Sequence, residues 1–172
     1  DKVINRRNLR GLSLERIAGR MRQKEAARTI QKLRKGFVDR LPGSVYAESN
    51  QQLIGLIDVL PDVFPNCRII FIVRDGRVTI RSLYWHSGGH WGFKDPVGLT
   101  GMGRLSAPHC SNDRWADRWI KMNTFQKNCW QWAKKNRFAL ECVRRTTHAK
   151  MWKFESVFQD ENRYETLHDV LG

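Results

Sequence analysis

FPNCRIIFIVRDGRVTIRS, from Phe64 to Ser82, is the part of this 172-residue chain with the clearest pattern of a strand followed by a helix. Its centre, Ile69–Val73, is β-branched and apolar on both faces, which predicts a buried strand of a parallel sheet. Gly76 allows a tight turn, and a helix of about ten residues is expected from there to His86. A strand that turns directly into a helix is the repeating unit of α/β proteins.

The flanking segments add further helices and two more strand candidates. In chain order, the predicted elements are a helix over residues 13–39, a strand over 45–47, a helix over 51–60, a helix from 113 onward, a strand over 150–154 and a helix over 164–171. Ser13 is expected to cap the first of these helices. The order of elements predicts an α/β fold with a mostly parallel sheet flanked by helices.

Composition indicates a globular domain with a strong positive charge. The chain is 41% hydrophobic, which is too apolar for a disordered tail. No apolar run approaches the roughly 18 residues of a transmembrane helix. Lys and Arg number 31 against 17 Asp and Glu, and residues 1–40 hold 13 of these cations and 4 of these acids. Such a charge attracts polyanions, including nucleic acid, anionic membrane, sulfated glycan and nucleotides.

The cysteines and histidines indicate neither a disulfide framework nor a metal centre. Four cysteines fall at irregular spacings without a CxxC pair, at positions 67, 110, 129 and 142. We interpret them as reduced thiols, which predicts a cytoplasmic location. His86 and His90 are four residues apart, and His109 and Cys110 follow later, but no second spaced pair completes a zinc site. We therefore expect no metal.

The carboxyl end of the central strand carries a candidate phosphate site. Arg74 follows that strand directly, at the edge where open α/β sheets bind ligands. The first amides of the next helix face the same crevice. Ser82 lies about two turns into this helix, so its hydroxyl can point back to a group held by the Arg74 guanidinium. The competing interpretation is an ordinary corner, with Arg74 paired to Asp75 and Ser82 bonded to its own backbone.

This segment resembles the nucleotide site of the sulfotransferase family. In that family a strand ends in Arg, then Asp, then Gly or Pro, then Arg, with a Ser eight residues after the first Arg. Arg74 and Ser82 have that spacing, and Phe64-Pro65-Asn66 is similar to the family's lead-in. The resemblance implies a P-loop-like sulfotransferase fold. It also implies that Arg74 and Ser82 bind the 3′-phosphate of 3′-phosphoadenosine 5′-phosphosulfate (PAPS), which becomes 3′-phosphoadenosine 5′-phosphate (PAP) after sulfuryl transfer to a hydroxyl or amine.

The resemblance is closest over residues 44–86, looser over 113–172 and slight elsewhere. Lys153-Phe154-Glu155 is similar to the family's late strand with its Tyr/Phe-Glu, and Leu171-Gly172 to the Leu-Gly after its last common helix. We expect one domain over residues 1–172, made of a basic helical segment (1–43), the nucleotide 3′-phosphate site (44–86), a loop (87–112) and a C-terminal part (113–172). The family's phosphosulfate loop has no counterpart before Arg74, so we expect an upstream segment that this sequence lacks.

Two residues are candidates for the catalytic base that takes the acceptor's proton. Glu48 ends the short strand candidate beside the phosphate site, although an acid there could instead complement the dipole of the following helix. His86 lies one turn beyond Ser82, although an imidazole at a helix end more often faces solvent. The resemblance does not choose between them. Transfer would be direct, without a metal.

The acceptor would be a small molecule, a glycan or a peptide, and would enter over the 87–112 loop. Trp85, Trp91 and Phe93 could stack on it there, whereas the Trp-rich stripe over residues 115–132 is interpreted as core. Two other functions stay open: a basic nucleic-acid- or polyanion-binding module that lays the 13–39 helix on phosphates, and a catalytically inactive sulfotransferase-like domain. A P-loop kinase fragment is disfavoured because the corner at Asp75 lacks a Walker-type lysine.

Overall fold

The computed structural model describes residues 8–43, 45–86, 104–158, 161 and 163–171. In chain order its elements are α1 (Leu9–Ile17), α2 (Gln23–Ile30), a π-helical segment (Gln31–Lys35), α3 (Gly36–Val38), a 3-10 segment (Gln51–Leu56), α4 (Leu60–Val63), β1 (Ile69–Val73), α5 (Gly76–His86), two 3-10 segments (Ala107–His109 and Trp119–Lys121), α6 (Thr124–Arg145), β2 (Ala149–Lys153), α7 (Phe154–Phe158) and α8 (Arg163–Leu171). The predicted α/β class is confirmed at this level, as a largely helical structure with a small parallel sheet.

The sheet of the described part consists of β1 and β2 in parallel. Its register runs from Ile69 opposite Ala149 to Val73 opposite Lys153. One face, with Ile69 and Phe71, packs against a cluster that includes Ala139 of α6. The prediction that β1 is buried on both faces is wrong, because Ile70 and Ile72 on its other face are 41% and 39% exposed.

The basic N-terminal segment is not one long helix over residues 13–39, as predicted. Gly19 adopts φ +73°, a left-handed conformation that glycine tolerates and that ends helices. The chain therefore leaves α1 and starts again as α2. Ser13 is not an N-cap, because Asn8 caps α1 by accepting a hydrogen bond from the Gly11 N–H at 2.8 Å.

Other sequence-based boundaries also shift. Val45–Ala47 is exposed and forms no strand, and the helix predicted over 51–60 is a 3-10 segment followed by α4. The helix predicted from Asp113 begins only at Thr124, where Asn123 and Gln126 form a reciprocal capping box. Residues 104–112 of the predicted loop are ordered and partly core, with Leu105 fully buried. Residues 87–103 lie outside the described residues.

Two apolar clusters form most of the core between α1, α2 and α6. The first joins α1 to α6 and contains Leu14, Ile17, Trp119 and Trp130. The rings of Trp119 and Trp130 meet edge to face, with centroids 5.0 Å apart. The interpretation of the stripe over residues 115–132 as core is borne out at Trp119, whereas Phe125 of the same stripe is 51% exposed. The second cluster covers α2 and α4 and includes Ile30.

The structure contains no helix, among the residues it describes, that is long and apolar enough to cross a membrane. All four cysteines are free. Burial raises the pKa of Cys142 to about 12 and that of Cys110 to about 11. Both therefore stay protonated thiols at neutral pH.

Gly55 is expected to be indispensable for packing the 3-10 segment on α1. A Cβ at position 55 would overlap the Ser13 carbonyl oxygen, so Gly55→Ala should lower the free energy of unfolding by about 2 kcal/mol or more. Ser13→Ala should lower it by about 1–3 kcal/mol, because the Ser13 hydroxyl accepts the buried Gly55 N–H at 2.9 Å. Urea denaturation measures both effects.

Gly36→Ala is the matched control. A Cβ there meets nothing within 4 Å, and the position is helical with φ −65°. The substitution should be neutral or slightly stabilising. An equal loss of stability in the Gly55 and Gly36 variants would contradict the packing argument.

Candidate functional site

The predicted phosphate site lies where β1 and β2 end side by side. Val73 is opposite Lys153 in the sheet, so the next residues, Arg74 and Phe154, are neighbours at the same edge. The Arg74 guanidinium lies over the Phe154 ring, with Cζ 4.9 Å from the ring centroid. Stacking on an aromatic face holds a guanidinium in place without neutralising its charge.

Asp75 fixes the turn from β1 into α5. Its backbone N–H donates to the Glu155 carboxylate at 3.0 Å, which ties the corner after β1 to the corner after β2. Its own carboxylate accepts hydrogen bonds from the Arg77 backbone N–H at 2.7 Å and from the Arg77 guanidinium at 2.6 Å. These bonds lower the pKa of Asp75 to about 2. Asp75 therefore pairs with Arg77 rather than with Arg74.

An ordinary corner would pair Arg74 with Asp75 and bond Ser82 to its own backbone, and neither contact is present among the described residues. Arg74 is exposed and forms no ion pair with any described residue. Ser82 is also exposed, and within the described ranges its hydroxyl makes no hydrogen bond. On α5, Ser82 lies about 160° around the helix from the buried Ile80. The Arg74 guanidinium and the Ser82 hydroxyl are thus both exposed and without a described hydrogen-bond or ion-pair partner.

Helix α6 holds α5 in position at both ends. At its start, a Cβ on Gly76 would come within 3.1 Å of the Trp132 ring, so the α5 backbone lies flush on that indole. Near its end, Tyr84 meets Phe125 of α6 edge to face, with ring centroids 6.4 Å apart. Trp85 follows and is 72% exposed. The other two residues predicted for the acceptor pocket, at positions 91 and 93, lie outside the described residues.

Glu48, the first candidate base, lies in a network of hydrogen bonds. Its carboxylate accepts from Arg34 at 2.7 Å and from Tyr46 and Asn50 at 2.9 Å each. Partial burial raises the pKa of Glu48, but the bonds from Asn50 and Tyr46 and the charge of Arg34 outweigh it, and the net pKa is lowered. No described contact joins Glu48 to Arg74 or Ser82.

His86, the second candidate base, is the last residue of α5. It lies one turn after Ser82 along the helix, as the sequence indicated. Its side chain is outside the described residues, so its role as a base stays a prediction.

A buried pair that no sequence pattern indicated joins α1 to the 104–110 segment. His109 Nε2 lies 2.7 Å from a Glu15 carboxylate oxygen, and both side chains are buried. Arg20 lies 3.2 Å from His109 Nδ1. Because a guanidinium only donates, Nδ1 accepts and Nε2 carries the proton. This His109 was considered for zinc on sequence, but the structure groups no three His, Cys, Asp or Glu side chains as metal ligands among the described residues.

A separate cleft of about 850 Å³ lies between the end of α1 and another face of α6. Its lining mixes aromatic rings with cations and includes Trp115, Phe138 and Arg137. It contains neither Arg74 nor Ser82. Spacing alone could not locate this cleft, because its walls come from segments about 100 residues apart.

The predicted site residues thus fall into different places. Arg74 follows β1 directly, Ser82 lies about two turns into α5 with no described contact to Arg74, Glu48 belongs to a network with Arg34, and His86 ends the helix that carries Ser82. The residue that sequence reasoning undervalued is Phe154, which supports Arg74 from the neighbouring strand. No family model, no curated protein and no solved structure matches this chain.

The Asp75–Arg77 pairing is testable by carbon-13 NMR of the Asp75 carboxyl group. Its pKa is lowered to about 2 in the folded state, so the carboxyl should remain ionised at pH 3. In Arg77→Ala the pKa should return toward 3.8, the ordinary Asp value that the same pairing lowers. Because the backbone N–H of residue 77 still donates to Asp75 in this variant, the protonated fraction at pH 3 should rise above that of the wild type without reaching that of a free Asp.

Arg74→Ala is the control for this titration. It should leave the Asp75 pKa unchanged, because Arg74 stacks on Phe154 instead of pairing with Asp75. A rise in the Asp75 pKa in Arg74→Ala, with no change in Arg77→Ala, would restore the ordinary corner interpretation.

Proposed function

We propose that this chain forms the donor-nucleotide site of a sulfotransferase that uses PAPS, with Arg74 and Ser82 on the 3′-phosphate. The observation that carries the proposal is an arginine held over the Phe154 ring at the carboxyl edge of a parallel strand, without a carboxylate partner among the described residues. A cation fixed in this way is suited to a charged ligand rather than to an internal ion pair.

The surrounding geometry supports an oxyanion at this place. The Asp75 N–H is already bonded to Glu155, which fixes the backbone that leads into α5. The amino-terminal amides of this 11-residue helix and its dipole favour negative charge. The Arg74 guanidinium offers a planar fork that matches two oxygens of a phosphate. Ser82 would add a hydroxyl donor from the exposed side of the same helix.

In the proposed reaction, the acceptor oxygen or nitrogen attacks the sulfur of the donor. The bond from that sulfur to the 5′-phosphate oxygen breaks, PAP leaves, and the acceptor proton passes to a base. Glu48 and His86 remain the candidates for that base. The lowered pKa of Glu48 keeps it ionised. Its Oε1 accepts from Arg34 and Asn50 and its Oε2 only from Tyr46, so the remaining lone pair of Oε2 is the one that could take a proton.

The proposed acceptor is a small molecule, a glycan or a peptide that reaches the end of α5. Trp85 and Tyr84 lie there with their rings edge to face, at a centroid distance of 6.2 Å. Both rings are exposed, and exposed rings stack well on sugars and aromatic groups.

Calorimetric titration with PAP, with ATP as the comparison ligand, tests the nucleotide site. We expect the chain to bind PAP and to bind ATP much more weakly, because ATP has no 3′-phosphate. Arg74→Ala and Ser82→Ala should each weaken PAP binding, by about 10- to 100-fold for the charged contact of Arg74 and less for the neutral hydroxyl.

Arg81→Ala is the matched control, because Arg81 is an exposed arginine of the same helix one residue before Ser82. It should retain wild-type affinity. Equal affinity of the wild type and both site variants would refute the 3′-phosphate site. Normal PAP binding without any sulfated product from PAPS and a panel of acceptors would instead favour the inactive sulfotransferase-like domain.

A second function, polyanion binding, is favoured by one observation on α2 and the π-helical segment. Lys24, Arg28 and Lys32 recur every four residues, and all three are exposed. None forms an ion pair with a described residue. By contrast, Arg16 is paired with Asp58, and Arg20 with His109. These three exposed cations thus form one row along the helix, and a row of cations is suited to a phosphate backbone.

The charge-reversal variant Lys24→Glu/Arg28→Glu/Lys32→Glu tests this second function. If the row binds nucleic acid, the variant should bind it more weakly than the wild type does. The slope of log affinity against log salt concentration should also become shallower, by the equivalent of up to about three phosphate contacts. Arg74→Ala should leave both the affinity and the slope unchanged. Fluorescence anisotropy with a labelled oligonucleotide at several salt concentrations measures both quantities, and an unchanged salt slope would exclude the row.

A further inference from the structure

The cleft between the end of α1 and α6 has the size of a ligand pocket. Its volume is about 850 Å³, whereas small-molecule sites range from roughly 300 to 1,000 Å³. Gaps left by imperfect packing are far smaller, because protein interiors contain few voids larger than a water molecule. The lining residues of α6 recur every three or four positions from Gln126 to Glu141. The cleft therefore follows one face of this helix over about four turns.

The wall opposite α6 is tied to the helix by the Asp113 carboxylate. This carboxylate accepts a hydrogen bond from Lys134 at 3.0 Å and one from the Trp130 indole N–H at 3.3 Å, and both donors belong to α6. It also accepts from the Trp115 backbone N–H at 3.0 Å. The segment that carries Trp115 is thus fixed against α6 by three bonds to one carboxylate, so the cleft is preformed.

The lining of the cleft is mostly apolar and aromatic. Trp115 and Phe138 are half-buried, so part of each ring remains accessible. Met122 and Ala133 add further apolar surface. Aromatic side chains favour stacked and edge-to-face contacts with other rings. This lining therefore favours a ligand with a flat apolar ring.

Two of the four cations that line the cleft are neutralised within the fold. Arg16 pairs with Asp58, and its guanidinium lies over the Phe138 ring, with Cζ 5.7 Å from the ring centroid. Lys134 pairs with Asp113. Both pairs join separate segments of the chain, and neither leaves a net charge for a ligand.

The other two cations, Arg114 and Arg137, come from opposite walls and are exposed. Neither forms an ion pair with a described residue. The Arg114 guanidinium lies over the Trp115 ring, with Cζ 5.4 Å from the ring centroid. Glu141, one turn after Arg137, also lines the cleft and forms no ion pair in the described part of the chain. Two guanidiniums against one carboxylate leave one positive charge in excess, which a single anionic group would balance.

We propose that this cleft binds a small aromatic carboxylate, that is, a flat ring system with one carboxylate group. The ring lies against Trp115 and Phe138. The carboxylate accepts hydrogen bonds from the Arg137 guanidinium, whose planar fork matches its two oxygens, and the charge of Arg114 adds to the attraction. The cleft contains neither residue of the proposed 3′-phosphate site, so this proposal stands independently of the proposed function.

Isothermal titration calorimetry with 2-naphthoate and 2-naphthamide tests the preference for an anion, because the two compounds share one ring system and differ in charge. We expect saturable binding of 2-naphthoate, about tenfold or more tighter than that of 2-naphthamide. Arg137→Gln should weaken 2-naphthoate binding by about 10- to 100-fold and leave 2-naphthamide binding nearly unchanged. Arg144→Gln is the matched control, because Arg144 is an exposed arginine of α6 outside the cleft. It should bind both compounds as the wild type does.

Alkylation of the cysteines with N-ethylmaleimide locates the bound compound. Cys129 lines the cleft, whereas Cys67 does not. The two thiols are otherwise comparable, since both are half-buried and burial raises the pKa of each. Saturating 2-naphthoate should slow the alkylation of Cys129 and leave that of Cys67 unchanged, as measured by mass spectrometry of the labelled peptides.

Several results would overturn the proposal: no saturable binding of 2-naphthoate, equal affinity for 2-naphthamide, or wild-type affinity for 2-naphthoate in Arg137→Gln. Binding without protection of Cys129 would place the compound elsewhere and would also overturn it. Arg74→Ala should bind 2-naphthoate normally, and Arg137→Gln should bind PAP as the wild type does. Failure of the cleft and failure of the nucleotide site are thus distinguishable.

Discussion

The parallel pairing of β1 with β2 places the residues that follow each strand next to one another, and the candidate nucleotide site depends on that pairing. Arg74 rests on Phe154 only because Val73 and Lys153 are opposite each other in the sheet. The Asp75 N–H reaches Glu155 for the same reason. A shift of register by one residue would turn the side chains of one strand to the other face and separate these contacts.

Helix α6 is the element against which the rest of the described chain is arranged. It packs on the sheet through Ala139, on α5 through Trp132, and on the cluster of α1 through Trp130. A helix buried on several sides has little room for polar groups. Asn128 of this helix is therefore the most informative exception in the core, because its buried amide atoms have no hydrogen bond among the described residues and a hydrophobic side chain would have avoided that cost.

The net charge of the chain is divided between structural and available cations. Arg16, Arg34 and Arg77 are paired with Asp58, Glu48 and Asp75 respectively. These pairs connect separate segments or fix a turn. Among the described cations without such a pair, Lys24, Arg28 and Lys32 form the exposed row that begins on α2, and Arg74 lies at the corner after β1. The total charge alone could not distinguish these cations from the paired ones.

The sequence alone determined the local elements in which one signal dominates. Ile69–Val73 is a strand because β-branched residues run without interruption, and α5 follows because Asp75 and Gly76 form a turn that starts a helix. For the same local reason Arg74 follows β1 directly and Ser82 lies about two turns into α5. Two predicted helix boundaries were wrong. Ser13 is internal to α1, where it accepts a hydrogen bond from the distant Gly55 N–H. Gly19, in a left-handed conformation, divides a segment whose apolar spacing predicts one helix.

Only the tertiary structure decided which partners the charged residues have. Arg77 rather than Arg74 neutralises Asp75, Phe154 supports Arg74 across 80 residues of chain, and Glu15 meets His109 in the core. Sequence spacing carries no information on such pairs, because they join segments that folding brings together through the packing of α6. Local propensity is read from neighbours along the chain, whereas the partner of a charge is set by neighbours in space.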